Sequence, residues 1–298
     1  MTNVALLTGG TTSEREVALK SARNVRAALE ENFHVEVFDL PTDLDRFLAS
    51  RAEFMVAVPV FHGRGGEDGV IQGLLETLGT PYIFSRVEAH AIGLDKAMCK
   101  VLAKHNGIKT ADWKIVEAGE NPVWERPVVV KPVDEGSSVG VTLARDETTY
   151  SSLFPSDRRL LVEDLIEGQE FTVAVVDDVH GTMALPVIEI RSKKEFFDYE
   201  SKYDPALCDE LCPAPIDDNL AERLKDIALT AHAMIGARHL SRTDMIVDKQ
   251  GDIWFLEINT IPGLTSASLT PKAMNAAGLR LEDLLTVWIE DVLKQKTA

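Results

Sequence analysis

The feature that most constrains this chain is a pair of apolar segments near its end that carry acids where a buried strand would carry none. Thr243-Asp244-Met245-Ile246-Val247 and Ile253-Trp254-Phe255-Leu256-Glu257-Ile258 flank the turn-rich stretch Asp248-Lys249-Gln250-Gly251-Asp252, which is the pattern of a hairpin. Side chains alternate along a strand, so Glu257 and Asn259 point to one face and Asp244 of the partner strand can face them. Arg242, two residues before Asp244, shares that face. Three oxygen donors on one sheet face suit Mg²⁺, which takes few protein ligands and leaves room for substrate phosphates. A metal and phosphate site with an arginine beside it points to phosphoryl chemistry.

The rest of the chain must supply a scaffold for that hairpin. At 298 residues it is long enough for two or three domains. The formal net charge of -17 argues against nucleic acid and against an anionic membrane surface as partners, and by itself means solubility. No apolar run approaches the ~20 residues of a membrane span. Met1-Thr2-Asn3 before Val4-Ala5-Leu6-Leu7 lacks the basic start of a signal peptide and reads as a first strand. The cysteines Cys99, Cys208 and Cys212 are odd in number and scattered, which fits a reducing cytoplasm. Cys208 and Cys212 lack the second Cys or His pair that a zinc site needs.

The first third alternates strand and helix signals. A strand over Val4–Thr8 ends in Gly9-Gly10, and a helix follows with Val17, Ala18, Ser21, Val25, Ala28 and Leu29 on one stripe. Strands over 35–40 and 54–60, a helix near 44–49, a glycine-rich loop over 62–69 and a helix over 70–78 complete it. Such alternation means a parallel sheet covered on both faces, with ligands at the strand C-terminal ends. A second region, about 86–167, holds a helix over 95–105, a strand over 128–131, a glycine loop over 134–140 and strands near 141 and 160–162. A third, from about 168, opens with strands, passes a charged and aromatic loop over 193–213, has a long helix from 217 to about 235, and closes with the hairpin and two helices.

Within this frame several groups bear on chemistry. Lys131 sits in the apolar strand Val128-Val129-Val130-Lys131-Pro132, beside Glu135-Gly136-Ser137-Ser138-Val139-Gly140. Glycine backbones approach phosphates closely and hydroxyls add donors. With the acidic hairpin downstream this reads as a nucleotide-phosphate clamp; alone, a hairpin turn beside a solvent-reaching lysine has the same pattern. Leu160 to Glu170 reads as a strand, an acidic break and a new strand, where backbone groups can meet an adenine and an acid the ribose; solvated turn acids look alike. Glu14 opens a helix, where the dipole favours a carboxylate and where it can also hold a substrate ammonium. His62, at a strand end among glycines, can bind a carboxylate or move a proton, or simply pack. Glu67-Asp68 can cap the helix that follows. Phe196 to Tyr203 mixes aromatics with Lys202, as in a lid over a site or a loop packed on its own domain.

Together these segments resemble the D-alanine–D-alanine ligases of the ATP-grasp superfamily. The resemblance rests on the ordered set Gly9-Gly10-Thr11-Thr12-Ser13-Glu14, His62-Gly63-Arg64-Gly65-Gly66-Glu67-Asp68-Gly69, Asp95-Lys96, Val130-Lys131-Pro132 with Glu135 to Gly140, Asp198 to Tyr203, Arg242-Thr243-Asp244, and Glu257-Ile258-Asn259-Thr260-Ile261-Pro262-Gly263 through Leu269. It covers essentially the whole chain. It implies an α/β fold in a three-domain ATP-grasp architecture: an N-terminal parallel-sheet (Rossmann-like) domain over 1–85, and two α+β domains over 86–167 and 168–298 clasping ATP.

The implied reaction joins two D-alanine molecules through an acyl phosphate, giving ADP and phosphate, for peptidoglycan precursor synthesis. Carried over by position, Lys96 and Lys131 hold ATP phosphates, and Glu163, Leu165 and Glu170 take adenine and ribose. Asp244, Glu257 and Asn259 bind two Mg²⁺, for which Mn²⁺ can substitute. Arg242 and the backbone near Gly263 stabilise the phosphorylated and tetrahedral species. Glu14 holds the ammonium of the first D-alanine with His62 near it, Ser137 and Tyr203 link to Glu14 and close the site, and Lys202 reaches the transferred phosphate. Ser268 and Leu269 meet the second D-alanine. The phenol of Tyr203, absent from relatives that use D-lactate, favours an amine as second substrate. The resemblance further implies a cytoplasmic homodimer joined through the first domain, with the helix over 70–78 as a candidate face.

Four places depart from the family pattern: Ala18 where serine is usual, Ile83-Phe84 where Thr-Gly is usual, Leu94 where methionine is usual, and a short segment between Lys114 and Pro127. Ala18 and Phe84 are expected near the first-substrate side. The alternatives are a related ATP-grasp ligase joining other amino acids and a non-catalytic nucleotide-binding protein; the latter predicts gaps among the metal, arginine and lid positions, and none is found.

Overall fold

Parallel strands buried on both faces are apolar throughout rather than alternating, and the first strand, β1 (Asn3–Gly9), has that character. The computed structural model describes residues 2–136, 139–192 and 208–296. In it β1 pairs in parallel with β2 (His34–Leu40) on one side and β3 (Val56–Pro59) on the other. Val4 and Leu6 point into one core and Ala5 and Leu7 into another. Helix α1 (Arg15–Leu29) covers the first of these faces with Ala22, Val25 and Leu29. Helices α2 (Leu44–Ser50) and α3 (Val70–Thr77) complete the unit, with Phe47 and Leu75 buried in the second core.

Helices α4 (Val87–Leu94) and α5 (Lys96–His105) lead out of it. Asp95 caps α5 by accepting from the backbone N–H of Met98 at 3.0 Å, a bond that satisfies one of the orphan donors of a helix start. An antiparallel sheet follows in the order β4 (Trp113–Val116), β7 (Leu160–Asp164), β5 (Val128–Pro132) and β6 (Thr142–Ala144), with α6 (Glu147–Ser151) before β7. Alternation gives this sheet two unlike faces. Val128, Val130, Leu160 and Val162 pack with Tyr150 and Phe154. The residues between them, Val129, Lys131 and Glu163, line a cleft.

The other wall of that cleft is a six-stranded sheet in which β8 (Gly168–Asp178) lies between β10 (Ile188–Ser192) and β12 (Leu240–Asp248). Strand β11 (Cys208–Leu211) adds to β10, β13 (Ile253–Asn259) adds to β12, and β9 (Gly181–Ala184) pairs with β8. Helix α7 (Asp218–Met234), capped by Asp217 through the N–H of Leu220 at 2.9 Å, covers the face away from the cleft with Leu224 and Ala228 against Met245.

Helices α8 (Leu269–Ala276) and α9 (Leu281–Lys296) return to the first sheet. Leu285, Trp288 and Ile289 of α9 share one core with Val25 and Leu29 of α1 and with Ala174 and Val176 of β8. First and third units are therefore joined by continuous apolar packing, and α4 and α5 pack with Ala231, Phe255 and Ile258 of the third. Among the described residues no helix is long and apolar enough to cross a membrane.

The expected hairpin is present with one refinement. Arg242 lies opposite Asn259 and Asp244 opposite Glu257, after which the register shifts so that Met245 faces Phe255. This bulge places the adjacent residues Leu256 and Glu257 both on the cleft, which strict alternation forbids and an extra residue in one strand allows.

Candidate active site

The cleft between the two antiparallel sheets holds about 450 Å³. Its floor carries a network of buried charges. Glu163 accepts from Lys131 Nζ through one carboxylate oxygen and from Lys100 Nζ through the other, each at 2.6 Å. Lys100, fully buried, also donates to Thr110 Oγ1 at 2.7 Å, and Thr110 donates to the carbonyl of Phe255 in β13 at 2.8 Å. Burial works against every charge here and is the largest influence on each. Two cations outweigh it for Glu163, whose carboxyl is held below its usual range. The Glu163 and Glu257 charges outweigh it for Lys131, which is pushed up. Lys100, with burial and the Lys131 charge both against it, is pushed down. Leu165, Glu170, Lys96, Val139 and Arg191 are among the other lining residues.

At one end of the cleft stands the acidic face of the hairpin. Arg242 grips Asp244 with two bonds, Nε to Oδ1 at 2.9 Å and an Nη to Oδ2 at 2.8 Å. Thr172 Oγ1, from the neighbouring strand, donates to Asp244 Oδ1 at 2.6 Å, and Asn259 Nδ2 donates to Oδ2 at 3.2 Å. Burial disfavours the guanidinium charge, but the Asp244 carboxylate prevails and holds Arg242 above its ordinary range. Lys96 lies 3.3 Å from Glu257 and donates to the carbonyl of Glu135. Each cation on this face is thus matched to a carboxylate. Among the described residues no three His, Cys, Asp or Glu side chains gather as a metal set; the donors are two carboxylates and one amide. Hard oxygen donors of that number suit Mg²⁺ or Mn²⁺ completed by phosphates rather than a thiolate- or imidazole-seeking metal.

A second cluster lies where the first unit meets the third. Glu14, the residue before α1, is 4% exposed, and its carboxylate sits against two glycine backbones. A Cβ on Gly63 would come within 2.5 Å of Glu14 Oε2, and one on Gly136 within 2.8 Å. His62 Nε2 lies 3.1 Å from Ser21 Oγ, which also accepts the N–H of Leu264 at 3.3 Å. Burial, aided by the Arg242 charge, lowers the His62 imidazole to about 4, so it is neutral at pH 7. It can accept or donate one hydrogen bond there but does not offer a standing positive charge to a carboxylate. Gly263 adjoins Ser268, since a Cβ there would be 2.8 Å from Ser268 Oγ, and Ser268 bonds Thr265 at 2.7 Å. Ser268 precedes α8, whose first residue is the buried Leu269.

The predicted residues therefore fall into two groups. Lys96, Lys131, Glu163, Leu165, Glu170, Asp244 and Glu257 meet in the cleft, with Asn259 joined to Asp244. Glu14, His62, Gly263, Ser268 and Leu269 lie on the other side, and Arg242 connects the groups. Ser137, Lys202 and Tyr203, with the proposed lid, lie outside the described residues.

Two expectations change. Glu67 does not cap α3. Asp68 meets the N–H groups of Gly65 and Val70 at 2.8 and 3.1 Å, while Glu67 turns inward to the N–H groups of Gly63 and Ile261. Phe84 turns into the seam with α9, its ring 5.7 Å from that of Trp288 and its N–H donating to His239 Nδ1 at 3.0 Å. Of the two departures expected near the first substrate, only Ala18 adjoins Glu14, one helical turn on.

Lys100, Glu67 and Thr172 were not anticipated. Lys100 left a trace: Lys96, Cys99, Lys100 and Ala103 form the buried stripe of α5, so helical periodicity already puts two lysines on an inward face. Thr172 and Glu67 left none, because their partners come from distant strands and loops.

Comparison with known proteins supplies the chemistry. Residues 89–290 match the family model described as D-ala D-ala ligase C-terminus. The chain is 41% identical to the D-alanine–D-alanine ligase of Syntrophobacter fumaroxidans, over 98% of this chain and 97% of that one. It is 40% identical to the ligase of Desulfotalea psychrophila, over 96% and 94%. Among solved structures, the D-alanine–D-alanine ligase of Bacillus anthracis superposes with a TM-score of 0.85 at 32% identity, covering 100% of this chain and 99% of that one. The same enzyme complexed with ATP gives 0.84 at 29% identity, with the same coverage.

Proposed function

The chain belongs to the D-alanine–D-alanine ligase family, and from that premise we propose how its residues divide the work of the reaction. It is an ATP-dependent ligase that joins two D-alanine molecules for peptidoglycan precursor synthesis. The first D-alanine carboxylate attacks the γ-phosphorus of ATP, forming an acyl phosphate and releasing ADP. The amine of the second attacks the acyl carbon, a proton leaves the nitrogen, and phosphate departs with the C–O bond electrons.

Both partners of the first step are anionic, so the site must offer positive charge. Lys96 and Lys131 hold the phosphates, and Glu163, Leu165 and Glu170 receive adenine and ribose. Asp244, Glu257 and Asn259 would hold two magnesium ions, which would neutralise phosphate charge; manganese would serve in their place. Arg242, permanently charged, faces the oxygens that gain charge during acyl transfer, with the backbone at Gly263. In this structure it pairs with Asp244, as Lys96 pairs with Glu257, so each cation on the face is neutralised by a carboxylate that would serve as a metal donor. Glu14 holds the ammonium of the first D-alanine, and neutral His62, oriented by Ser21, packs beside it. Ser268 and Leu269 receive the second D-alanine. Ser137, Lys202 and Tyr203 close the site against water, since an acyl phosphate hydrolyses readily.

The observation that carries this reading is the single face formed by Arg242, Asp244, Glu257 and Asn259 at the end of a cleft floored by Lys131 and Glu163. We also take the chain as three domains, 1–85, 86–167 and 168–298, and as a cytoplasmic homodimer. The net charge of -17 supports a partner set without nucleic acid or membrane, and Val70 of α3, 62% exposed, is a candidate dimer contact. The test is phosphate release from ATP and Mg²⁺ with D-alanine, L-alanine, D-serine and D-lactate, with products analysed by mass. D-alanyl-D-alanine as the efficient product is expected. A different preferred pair would move the substrate assignment and single out Ala18, while no turnover despite ATP binding would refute the division of roles.

A further inference from the structure

Glu67 has no part in the scheme above, yet its surroundings are unusual. It keeps part of its surface accessible, yet its carboxyl group turns inward onto two backbone N–H groups. Oε2 accepts the N–H of Gly63 at 2.7 Å, and Oε1 accepts the N–H of Ile261 at 3.2 Å. One carboxyl group therefore holds two backbones that are 198 residues apart in sequence (63 and 261) and follow strands of different sheets, β3 and β13. Gly63 follows His62 and supports Glu14; Ile261 lies between Asn259 and Gly263.

The loop that carries Glu67 is built to aim it. The Gly63 carbonyl accepts from the N–H groups of Gly66 and Glu67 at 3.3 and 2.9 Å. A Cβ on Gly66 would stand 2.0 Å from Cβ of Phe61, so only glycine permits the turn. Fully buried Gln72 donates to the Gly66 carbonyl at 2.9 Å and holds the turn from below. Charge surrounds the result: burial foremost, and the Glu14 carboxylate next, push the Glu67 carboxyl up, while the N–H bonds from Gly63 and Ile261 and the Arg242 charge pull the other way.

We propose that Glu67 is a positioning residue that sets the separation between the first-substrate pocket and the acyl-transfer loop, by tying the backbone at Gly63 to the backbone at Ile261. Among the described residues its hydrogen bonds go to Gly63 and Ile261, neither of them a nucleotide candidate or a metal donor. Loss of the tie lets the Glu14 and His62 side drift from the Arg242 and Gly263 side. ATP binding, built on the cleft, survives, while both half-reactions slow because each needs the D-alanine held by Glu14 in place; the second suffers more, because its amine comes from the Gly263 and Ser268 side and needs reacting atoms within about 3–3.5 Å. The inference rests on the ligase reading above.

Glu67→Gln tests it, since an amide keeps the size but presents a donor to one of two N–H groups. Expected are a ten- to hundredfold fall in the rate of dipeptide formation, a KM for ATP within twofold of the unaltered protein, and more than one phosphate released per dipeptide. Dipeptide formation within twofold and phosphate still matched to dipeptide would overturn it. So would equal losses in ATP affinity and turnover accompanied by a lower melting temperature, the mark of a general structural role. Hydrogen exchange on Glu67→Ala gives a reading independent of ligation. The amides of Gly63 and Ile261 are expected to lose protection together while the β1 and β8 amides keep theirs; unchanged protection at both would refute the tie even if the substrates proved different.

Discussion

Replacing Lys100 by methionine isolates the buried charge network under the nucleotide cleft. Lys100 is fully buried and makes two hydrogen bonds through Nζ, to Glu163 at 2.6 Å and Thr110 at 2.7 Å. A hydrogen bond to a charged partner contributes about 1.5–3 kcal/mol. Removing one partner of a buried ion pair costs about 3–5 kcal/mol when the other is left alone. Glu163 is not left alone, because Lys131 stays at 2.6 Å, and methionine fills much of the volume without a charge to desolvate. The stability loss is therefore expected near the lower figure, about 2 kcal/mol.

The larger consequence concerns the ligand. Held from one side only, the Glu163 carboxylate draws Lys131 toward itself and away from the phosphates, and the cleft loses one positive charge. If half or more of one charged hydrogen bond is lost in the complex, ATP binding weakens by about 1.4 kcal/mol, or tenfold. Calorimetric titration with ATP and Mg²⁺ measures this, urea unfolding measures the stability term, and the KM for D-alanine is expected to stay within twofold. ATP affinity unchanged to within twofold, beside the same loss of stability, would refute the reasoning and reduce Lys100 to a structural post.

Three further perturbations test other parts. Glu257→Gln removes a donor charge from an interface of sheet and solvent-lined cleft rather than from a core, so turnover is expected to fall on the order of 10²-fold with the melting temperature unchanged; near-normal turnover would sink the metal assignment. Phe84→Gly relieves a φ of 69° but empties a fully buried ring site against Trp288. Relief of about 1–2 kcal/mol against a loss of about 3–5 kcal/mol predicts net destabilisation of about 2–3 kcal/mol in urea titrations. Amino-acid preference is expected not to move, and a shift in it would return Phe84 to the substrate pocket. His90, fully buried and 2.6 Å from Thr260, is lowered to about 3, chiefly by burial. The unfolded chain takes up its proton below about 6.5 and the folded one does not, so the stability owed to neutral His90 is present above that pH and is lost as pH falls. Between pH 7 and 5 the loss is about 2 kcal/mol from this residue, and His90→Gln is expected to shrink the pH dependence of the urea midpoint by that amount; an unchanged dependence would refute it.

What was legible in the chain divides along a physical line. Residues whose meaning depends on period and neighbours were readable: the two-residue repeat put Arg242, Asp244, Glu257 and Asn259 on one face, and the hairpin places them there. The apolar setting of Lys131 marked it as more than a surface lysine, because the alternate residues Val128 and Val130 demand a core on the other side. The alternating segments at the start read as a parallel sheet, which they form. Residues whose meaning depends on what arrives from far away were not readable. Glu67 and Asp68 are adjacent acids in one glycine-rich loop, and nothing local says that Asp68 serves its own turn while Glu67 reaches Ile261.

Phe84 makes the same point from the opposite direction. Replacement of the family's glycine, at a φ only glycine adopts freely, reads from sequence as a change beside the substrate. In the fold the strain is met by an aromatic stack: Phe84 packs edge-on to Trp288, His239 lies flat on the other part of that ring system at an interplanar angle of 5°, and His239 is itself at a φ of 68°. His239 accepts the N–H of Phe84, and Arg238 donates to the carbonyls of Phe84 and Tyr82 at 3.0 and 2.9 Å. Two unfavourable backbone conformations are thus held by one another and by a helix some 200 residues away. No window of sequence contains both, and so the position that looked most like a specificity change is a joint between the first unit and the third.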